Sequence, residues 1–577
     1  MTISAAVASL PPRVDPLPMS PPARTAPPTG LTPPVGHWYD HRAVGVGAAL
    51  VLAAVGTAVF TAGIATPWPW GDEGATYLAL QRDWTQLLVL YRSPDAPNVP
   101  FYFLAKAWTT AVQALWPSVA TLLSLRLLSA AAATLTAVTL YALVARRAGR
   151  LPGLFSGLVL ISLPGFSRYA QEARTYAVLA LAATVSWLLW DRWVQPRGVP
   201  TLVHGGPALP AVAERVTPRR ALGVVGYAAS VAALAVLHTF GLFQWPAQAV
   251  ATLFTPGTAR TRLRRIAWLA AAMGVAAAAA LWQVLDTVRY GTGPTGVHRF
   301  RVVDPVTVLS QLAKGTSWSQ DPAASVPILA LLALGASALL VKEHRPFTVH
   351  LLIWLVVPLA GEVTLGALHT NLFRYRYWIA LLPPLAGLAG VGLASLPVQL
   401  GRFVRRHRPL DRAGRAAAVL VGHALALGIL VFQVGTTVPA QNEVRSPLGH
   451  GQDLGRALAL LDTARSQDPR VTAVFTNAPL SGVFGALDPG LQARNPLLQV
   501  DPSATTVYTS PTSAAVAMRM LATDTTLFWL LPGERTTAHQ VLRSWPRDLA
   551  GVRPHVLWIA PAGPGLTAAM LQTRPGP

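Results

Sequence analysis

Apolar blocks of about 20 residues recur along this chain, separated by short connections in which arginine clusters. At 1.5 Å per residue, each block is close to the length a helix needs to cross the ~30 Å core of a bilayer. In order they fall at 43–66, 118–145, 152–167, 175–193, 221–240, 242–258, 266–285, 326–341, 347–368, 377–398 and 416–437. The pattern predicts a polytopic α-helical membrane protein with about eleven spans. Composition agrees: 12% of residues are charged, about half the ~25% usual in soluble domains.

The formal net charge of +22 would point to nucleic acid if the basic residues formed one stripe with interleaved aromatics. They sit instead in the connections. "ARRAGR" joins the second and third blocks, and Arg192, Arg197, Arg215, Arg219 and Arg220 lie between the fourth and fifth. "ARTRLRR", "KEHR" and "RFVRRHRPLDRAGR" follow. All share one side if the N-terminus is cytoplasmic, which is the orientation the positive-inside rule selects. The opposite, outer side then receives 67–117, about 164–174, the corner at 240/241, 286–325, 369–376 and everything after 438.

Three domains are expected. Residues 1–41 are Pro-rich, cannot bury a core and read as a disordered cytoplasmic tail. Residues 42–437 form the membrane domain; its first block begins only near residue 43, which argues for an anchor and against a cleavable signal peptide. Residues 438–577 read as an outer, extracytoplasmic α/β module: "DLGRALALLDTARS" has helical periodicity, whereas "VTAVFTN", "TTVYT", "TLFWLLP" and "HVLWIA" are strand-like. The chain has no cysteine, which removes disulfides, thiolate metal sites and cysteine nucleophiles together. The cytoplasmic (inner) membrane is the expected location.

Chemistry-bearing side chains gather in the outer connections. "PWPWGDEGATYLAL" sets Asp72 and Glu73 beside each other after the first span. Such a pair can be no more than a solvated loop start beneath an aromatic belt of Trp68 and Trp70. "SRYAQEARTYAVLAL" crowds Arg168, Tyr169, Glu172 and Arg174 into one short connection. Arg168 and Glu172 are four apart and can simply bridge each other, but Arg174 is then left over. His238, in "LAVLHTFGLFQWP", lies near an outer helix end, where a lone histidine is ordinarily a satisfied core residue. Arg374 and Arg376, in "FRYRYWIALLPPLAG", are basic residues on the outer side, against the positive-inside bias. Snorkelling explains them blandly; an anion held at the outer surface explains them functionally.

One reaction would use all of these positions. Transfer from a lipid-linked phosphate at the membrane surface needs cations for the phosphate and a carboxylate to take a proton: Asp72 or Glu73 can serve as the base, and Arg374, Arg376 or Arg174 as the clamp. Ionisable residues near a bilayer are costly, so their convergence on one face favours function.

The same segments carry a family resemblance over about residues 40–400. The chain resembles a GT-C membrane glycosyltransferase of the dolichyl-phosphate-mannose protein mannosyltransferase-like kind. "WGDEGATYLAL" is similar to the family's acidic motif. "PNVPFYFLAKAW", with Tyr102, resembles the Pro–aromatic stretch after it, although the order here is Asn98, Val99, Pro100, without a second adjacent proline. "SLRLLSAAAATLTAVTLYALVARR" is similar to the next helix, and "SRYAQEARTYAVLAL" to the glutamate–alanine–arginine–tyrosine segment. "VLHTFGLF" and "RYRYWIALLPPLAGLAG" resemble later segments.

The resemblance implies a polyprenyl-phosphate-linked sugar as donor, inverting transfer on the non-cytoplasmic side, and a catalytic carboxylate at Asp72 with Glu73 beside it. On this reading Arg374, Arg376 and Arg174 bind the donor phosphate, while Glu172, Tyr169, Tyr102 and His238 position substrate. The acceptor would be a glycan, lipid or protein of the cell envelope. A divalent cation shared by Asp72, Glu172 and His238 has no ligand-spacing signature, so no metal or cofactor is expected. Two other classes compete: a lipid-linked sugar transporter or flippase without bond chemistry, and an envelope scaffold. A transporter would more often show internal repeats, and a scaffold would tolerate substitution at Asp72, Glu172 and Arg374.

Overall fold

The structure is a computed structural model that describes residues 42–92, 95–194, 218–255, 259–290, 304–319, 321–368, 374–407, 411–451, 453–469, 471–476, 478–488, 525–533, 535–543, 552–563 and 565–575. The tail at 1–41, Arg197, Arg215 and the strand-like "TTVYT" lie outside the described residues.

The order is mostly helical. It opens with α1 (Arg42–Thr61), α2 (Gly71–Leu80), α3 (Trp84–Val89), α4 (Val99–Leu115), α5 (Thr121–Ala148), α6 (Arg150–Ser162), α7 (Pro164–Ala170) and α8 (Tyr176–Leu189). It continues through α9 (Pro218–Leu237), α10 (Gln244–Leu253), α11 (Ala259–Tyr290), α12 (Pro305–Ser317), α13 (Val326–Ser337), α14 (Arg345–Leu368), α15 (Leu382–His407) and α16 (Arg412–Val444). The C-terminal part adds α17 (Gly455–Gln467), β1 (Val471–Thr476), α18 (Ala478–Leu487), β2 (Thr525–Pro532), α19 (Ala538–Leu542), β3 (Val552–Gly563) and β4 (Leu566–Pro575).

Seven helices among the described residues are long and apolar enough to cross a membrane, or eight if the bent pair α6/α7 is one span. The structure does not confirm the count of eleven. Two of the differences have plain causes. α10 has ten residues, about 15 Å of helix, and the apolar part of α9 is only Leu222–Leu237. The α6/α7 pair bends by 72° because Pro164 forces the residue before it out of the helical region: Leu163 has φ −72° and ψ 116°. Between α5 and α6, Gly149 adopts φ 104°, a turn only glycine makes without strain.

α5 and α15 form the centre of the bundle. Leu125, Ala133, Leu140 and Val144 of α5, and Leu385, Ala389 and Val391 of α15, are fully or nearly fully buried in one apolar core. α5 also measures the membrane. Arg126 stands near its start and Arg146 near its end, a rise of about 30 Å, the thickness of a hydrocarbon core. At the far end Arg146 Nε donates to Asp191 Oδ2 at 2.8 Å, and Arg147 pairs with the same carboxylate. At the near end Arg126 meets Glu73 of α2.

α16 runs through the expected boundary at 437 to Val444, and the chain then enters the C-terminal module. Its sheet has the order β1-β2-β4-β3, with β1 and β2 parallel and the other pairs antiparallel. α17 and three of the strand-like runs therefore fall where periodicity put them; β4 was not anticipated. Leu454, Leu461, Phe484, Phe528 and Met570 form the module's own core, and Trp68 of the connection after α1 packs against it.

Candidate active site

The acidic pair sits in the first turn of α2, where carboxylates complement the helix dipole. Successive helical side chains diverge, and the two acids meet different surroundings. Asp72 keeps 22% of its side chain exposed, while Glu73 is fully buried.

Glu73 is held by four contacts from three residues. Arg126 Nε and Nη2 each donate to one of its oxygens at 2.9 Å. The backbone N–H of Ala173 donates to Oε1 at 3.0 Å, and His450 Nδ1 lies 3.1 Å from Oε2. Arg126 in turn uses Nη1 on the carbonyls of Ile64 and Pro67, at 2.8 and 3.0 Å. Burial alone would push the Glu73 carboxyl up; Arg126 and His450 outweigh it and hold the group well below the usual carboxylate range. Such a carboxylate ties segments together and has no free oxygen to offer substrate.

Asp72 has a different neighbourhood. Its Oδ2 lies 3.6 Å from Arg376 Nη1 and 3.8 Å from Arg174 Nη2. Both are ion pairs too long to be hydrogen bonds, so neither guanidinium has spent its donors on the carboxylate. Arg174 is braced from behind: Nη1 donates to the hydroxyl of the buried Tyr102 at 3.4 Å, and Nη2 to Asn98 Oδ1 at 3.3 Å. Arg376 lies over the Tyr377 ring at 5.4 Å, and its buried Nε meets no hydrogen-bond partner among the described residues.

Glu172 lies close enough to feel the charges of Asp72, Glu73 and Arg174. Its Oε1 accepts from Trp70 Nε1 at 3.1 Å and its Oε2 from Arg168 Nη1 at 2.5 Å. Burial pushes its carboxyl up to about 7, because desolvation exceeds what Arg168 returns and the neighbouring carboxylates add to it. The i, i+4 bridge anticipated for Arg168 is therefore formed. Arg168 also stands over three aromatic rings, Trp318 at 5.3 Å, Tyr169 at 5.8 Å and Trp70 at 5.9 Å. Tyr169 is buried with its ring 5.0 Å from Tyr176 and 6.5 Å from Tyr375.

His238 has a local job. It caps the short 3-10 turn Thr239–Phe243, with Nδ1 accepting from Phe240 N at 3.2 Å. Its ring is 5.2 Å from Tyr377 and 6.2 Å from Tyr176, but it makes no ion pair or hydrogen bond to the carboxylates among the described residues. Arg374 caps the 3-10 turn Tyr375–Leu381 by its backbone, and among the described residues its guanidinium forms no ion pair with Asp72 or any other acid. Asp72, Arg174, Arg376, Tyr102, Glu172 and Tyr169 thus converge; Glu73 is sealed beneath them; His238 and Arg374 stand beside the cluster. Among the described residues no three His, Asp or Glu side chains are grouped to hold a metal ion.

Sequence reasoning passed over Arg126 and His450. Arg126 left a signal, a single cation inside the apolar run "SLRLLSAAAATL". His450, in "LGHGQDLG", left none.

No protein-family model matches the sequence, and no curated protein matches it. Solved structures do. The chain is similar to ArnT from Cupriavidus metallidurans in the apo state, with TM-score 0.52 at 15% identity over 91% of this chain and 98% of the other. It is also similar to the archaeal oligosaccharyltransferase AglB from Archaeoglobus fulgidus, solved with an inhibitory peptide and a dolichol-phosphate. That match has TM-score 0.51 at 10% identity over 92% of this chain and 74% of the other. The fold is that of the GT-C membrane glycosyltransferases.

Proposed function

We propose that the protein is an inverting glycosyltransferase that moves a sugar from a polyprenyl-phosphate donor to an envelope acceptor at the outer face of the cytoplasmic membrane. The observation that carries the reading is the position of Asp72, a partly exposed carboxylate within 3.6 Å of Arg376 and 3.8 Å of Arg174. The GT-C fold, and the dolichol-phosphate bound to a protein that shares it, support the donor class.

The chemistry is a single displacement. The acceptor hydroxyl oxygen attacks the anomeric carbon, the bond from that carbon to the phosphate oxygen breaks, and the hydroxyl proton passes to Asp72. The lipid phosphate leaves with the bonding electrons. Its charge needs cations at the moment it forms, and Arg376 and Arg174 are the nearest to the base. Without donor they face Asp72; a bound phosphate competes for them and frees the carboxylate to accept a proton. Removing one well-placed donor of this kind costs about 3–4 kcal/mol of barrier. Glu172, whose charge Asp72 opposes, and the rings of Tyr169 and Tyr102 shape the pocket, whereas Glu73 anchors it. The arginines of the Arg146–Arg147–Asp191 cluster, at the opposite end of α5, support a cytoplasmic placement of that end under the positive-inside rule.

The test is reconstitution of purified protein into vesicles with a labelled polyprenyl-phosphate sugar. Release of polyprenyl phosphate with transfer of label to an acceptor supports the reading. Movement of intact donor across the bilayer, with no bond broken, would instead support a flippase.

A further inference from the structure

The first outer connection is fastened to the C-terminal module at three points. Trp68 N–H donates to the Pro447 carbonyl at 2.9 Å, and the Trp68 ring packs on the module's core. α2 crosses α18 backbone to backbone: a Cβ on Gly482 would meet the Gly74 carbonyl oxygen at 2.3 Å, and one on Gly74 would meet Val483 N at 2.7 Å. His450 reaches from the module to Glu73. It is fully buried; its Nδ1 lies 3.1 Å from Glu73 Oε2 and 3.4 Å from Arg126 Nη2, and we assign the proton to Nδ1 because the carboxylate contact is the shorter.

These fastenings matter because α2 cannot place itself. It has ten residues and no side-chain cap at Trp70, and isolated helices this short are marginal. Asp72 lies in its first turn, one residue from Glu73. We propose that the C-terminal module is part of the catalytic apparatus: His450, with the Gly74/Gly482 crossing, is a positioning element that seats Asp72 against Arg174 and Arg376. The proposal rests on Asp72 being the base. His450 itself touches no substrate in this scheme; it acts through Glu73.

The experiment pairs two readouts on the full-length protein in detergent or vesicles: transfer kinetics, and hydrogen exchange of the backbone over residues 71–80. H450A is expected to exchange faster over that segment and to lose roughly 10–100-fold in kcat, since ångström-scale misplacement of a reacting group costs about that much. KM for the donor should move by less than a few-fold, because Arg174 and Arg376 are untouched. H450N places an amide donor where Nδ1 stood and should recover most of kcat; H450Q, a methylene longer, should not. G482V should resemble H450A.

Wild-type kcat in H450A overturns the proposal, whether or not exchange changes. If H450A does not yield folded protein, the Asn/Gln comparison decides, and equal activity of the two overturns it. Should wild-type protein transfer no sugar from any lipid-phosphate donor, the function reading fails on that control. The exchange arm then judges the clamp alone: unchanged exchange in H450A refutes it, and faster exchange supports the contact.

Discussion

Arg126 meets Glu73 through two contacts of 2.9 Å in a fully buried pair, while Asp72, the preceding residue in the chain, faces two guanidiniums at 3.6 and 3.8 Å and keeps part of its surface open. Two adjacent acids are thereby given different surroundings. The predictions that follow separate them.

Asp72→Asn removes the proton acceptor and leaves the shape unchanged. Transfer should fall by about 10²–10⁴-fold, the range for a lost general base, with no fall in thermal unfolding temperature. Near-normal turnover would remove Asp72 from the base role.

Glu73→Gln should behave in the opposite sense. It leaves Arg126 buried with half its partner gone, and breaking one member of a buried pair costs about 3–5 kcal/mol. The measurement is thermal unfolding in detergent, where the variant should melt well below wild type or be recovered poorly. A Glu73→Gln protein as stable as wild type but inactive would reverse the two roles.

Arg376→Ala should lower kcat by about 10²–10³-fold, the size seen when one donor to a developing anion is removed. Arg376→Lys should recover part of this, since a point charge remains but the planar fork is lost. Arg374→Ala should matter less, because the Arg374 guanidinium makes no ion pair within the cluster among the described residues. Steady-state kinetics on the three variants orders them.

Glu172 gives stability a pH dependence. Its folded carboxyl is pushed up to about 7 from an ordinary value near 4.5. The folded protein therefore holds a proton that the unfolded chain releases from about pH 4.5 upward. Stability is complete below that point and falls as the pH rises to 7, by a total on the order of 3 kcal/mol. Glu172→Gln should flatten this slope. Melting curves from pH 4.5 to 8 test it, and a wild-type profile that rises over that window would contradict the assignment.

Much of the site could be read in the sequence because its members stand out locally. Asp72, Glu172, Arg174 and Arg376 are charges in connections between apolar blocks, and the positive-inside rule put those connections on one side. Topology grouped them on one side, together with His238 and Arg374, which stand beside the cluster. Membrane helices were legible for the same reason, except where length failed: α10 is apolar but has only ten residues, and Pro164 breaks one block in two. What could not be read was the support beneath. His450 is 377 residues from Glu73 and lies in a glycine-containing turn with no periodicity to mark it. The Gly74/Gly482 crossing is likewise a meeting of two residues that carry no side-chain signal at all. The local character of Glu73, buried where Asp72 is not, depends on those distant partners and could not be separated from that of its neighbour.

The Glu73–His450 contact also bears on biogenesis. The two acids of α2 are synthesised well before the imidazole that completes the seat of Glu73, which follows the last membrane-length helix among the described residues, α16. A chain arrested before that point would own its carboxylates without their final setting, so competence would arise late in synthesis, once the last segment has folded back onto the first.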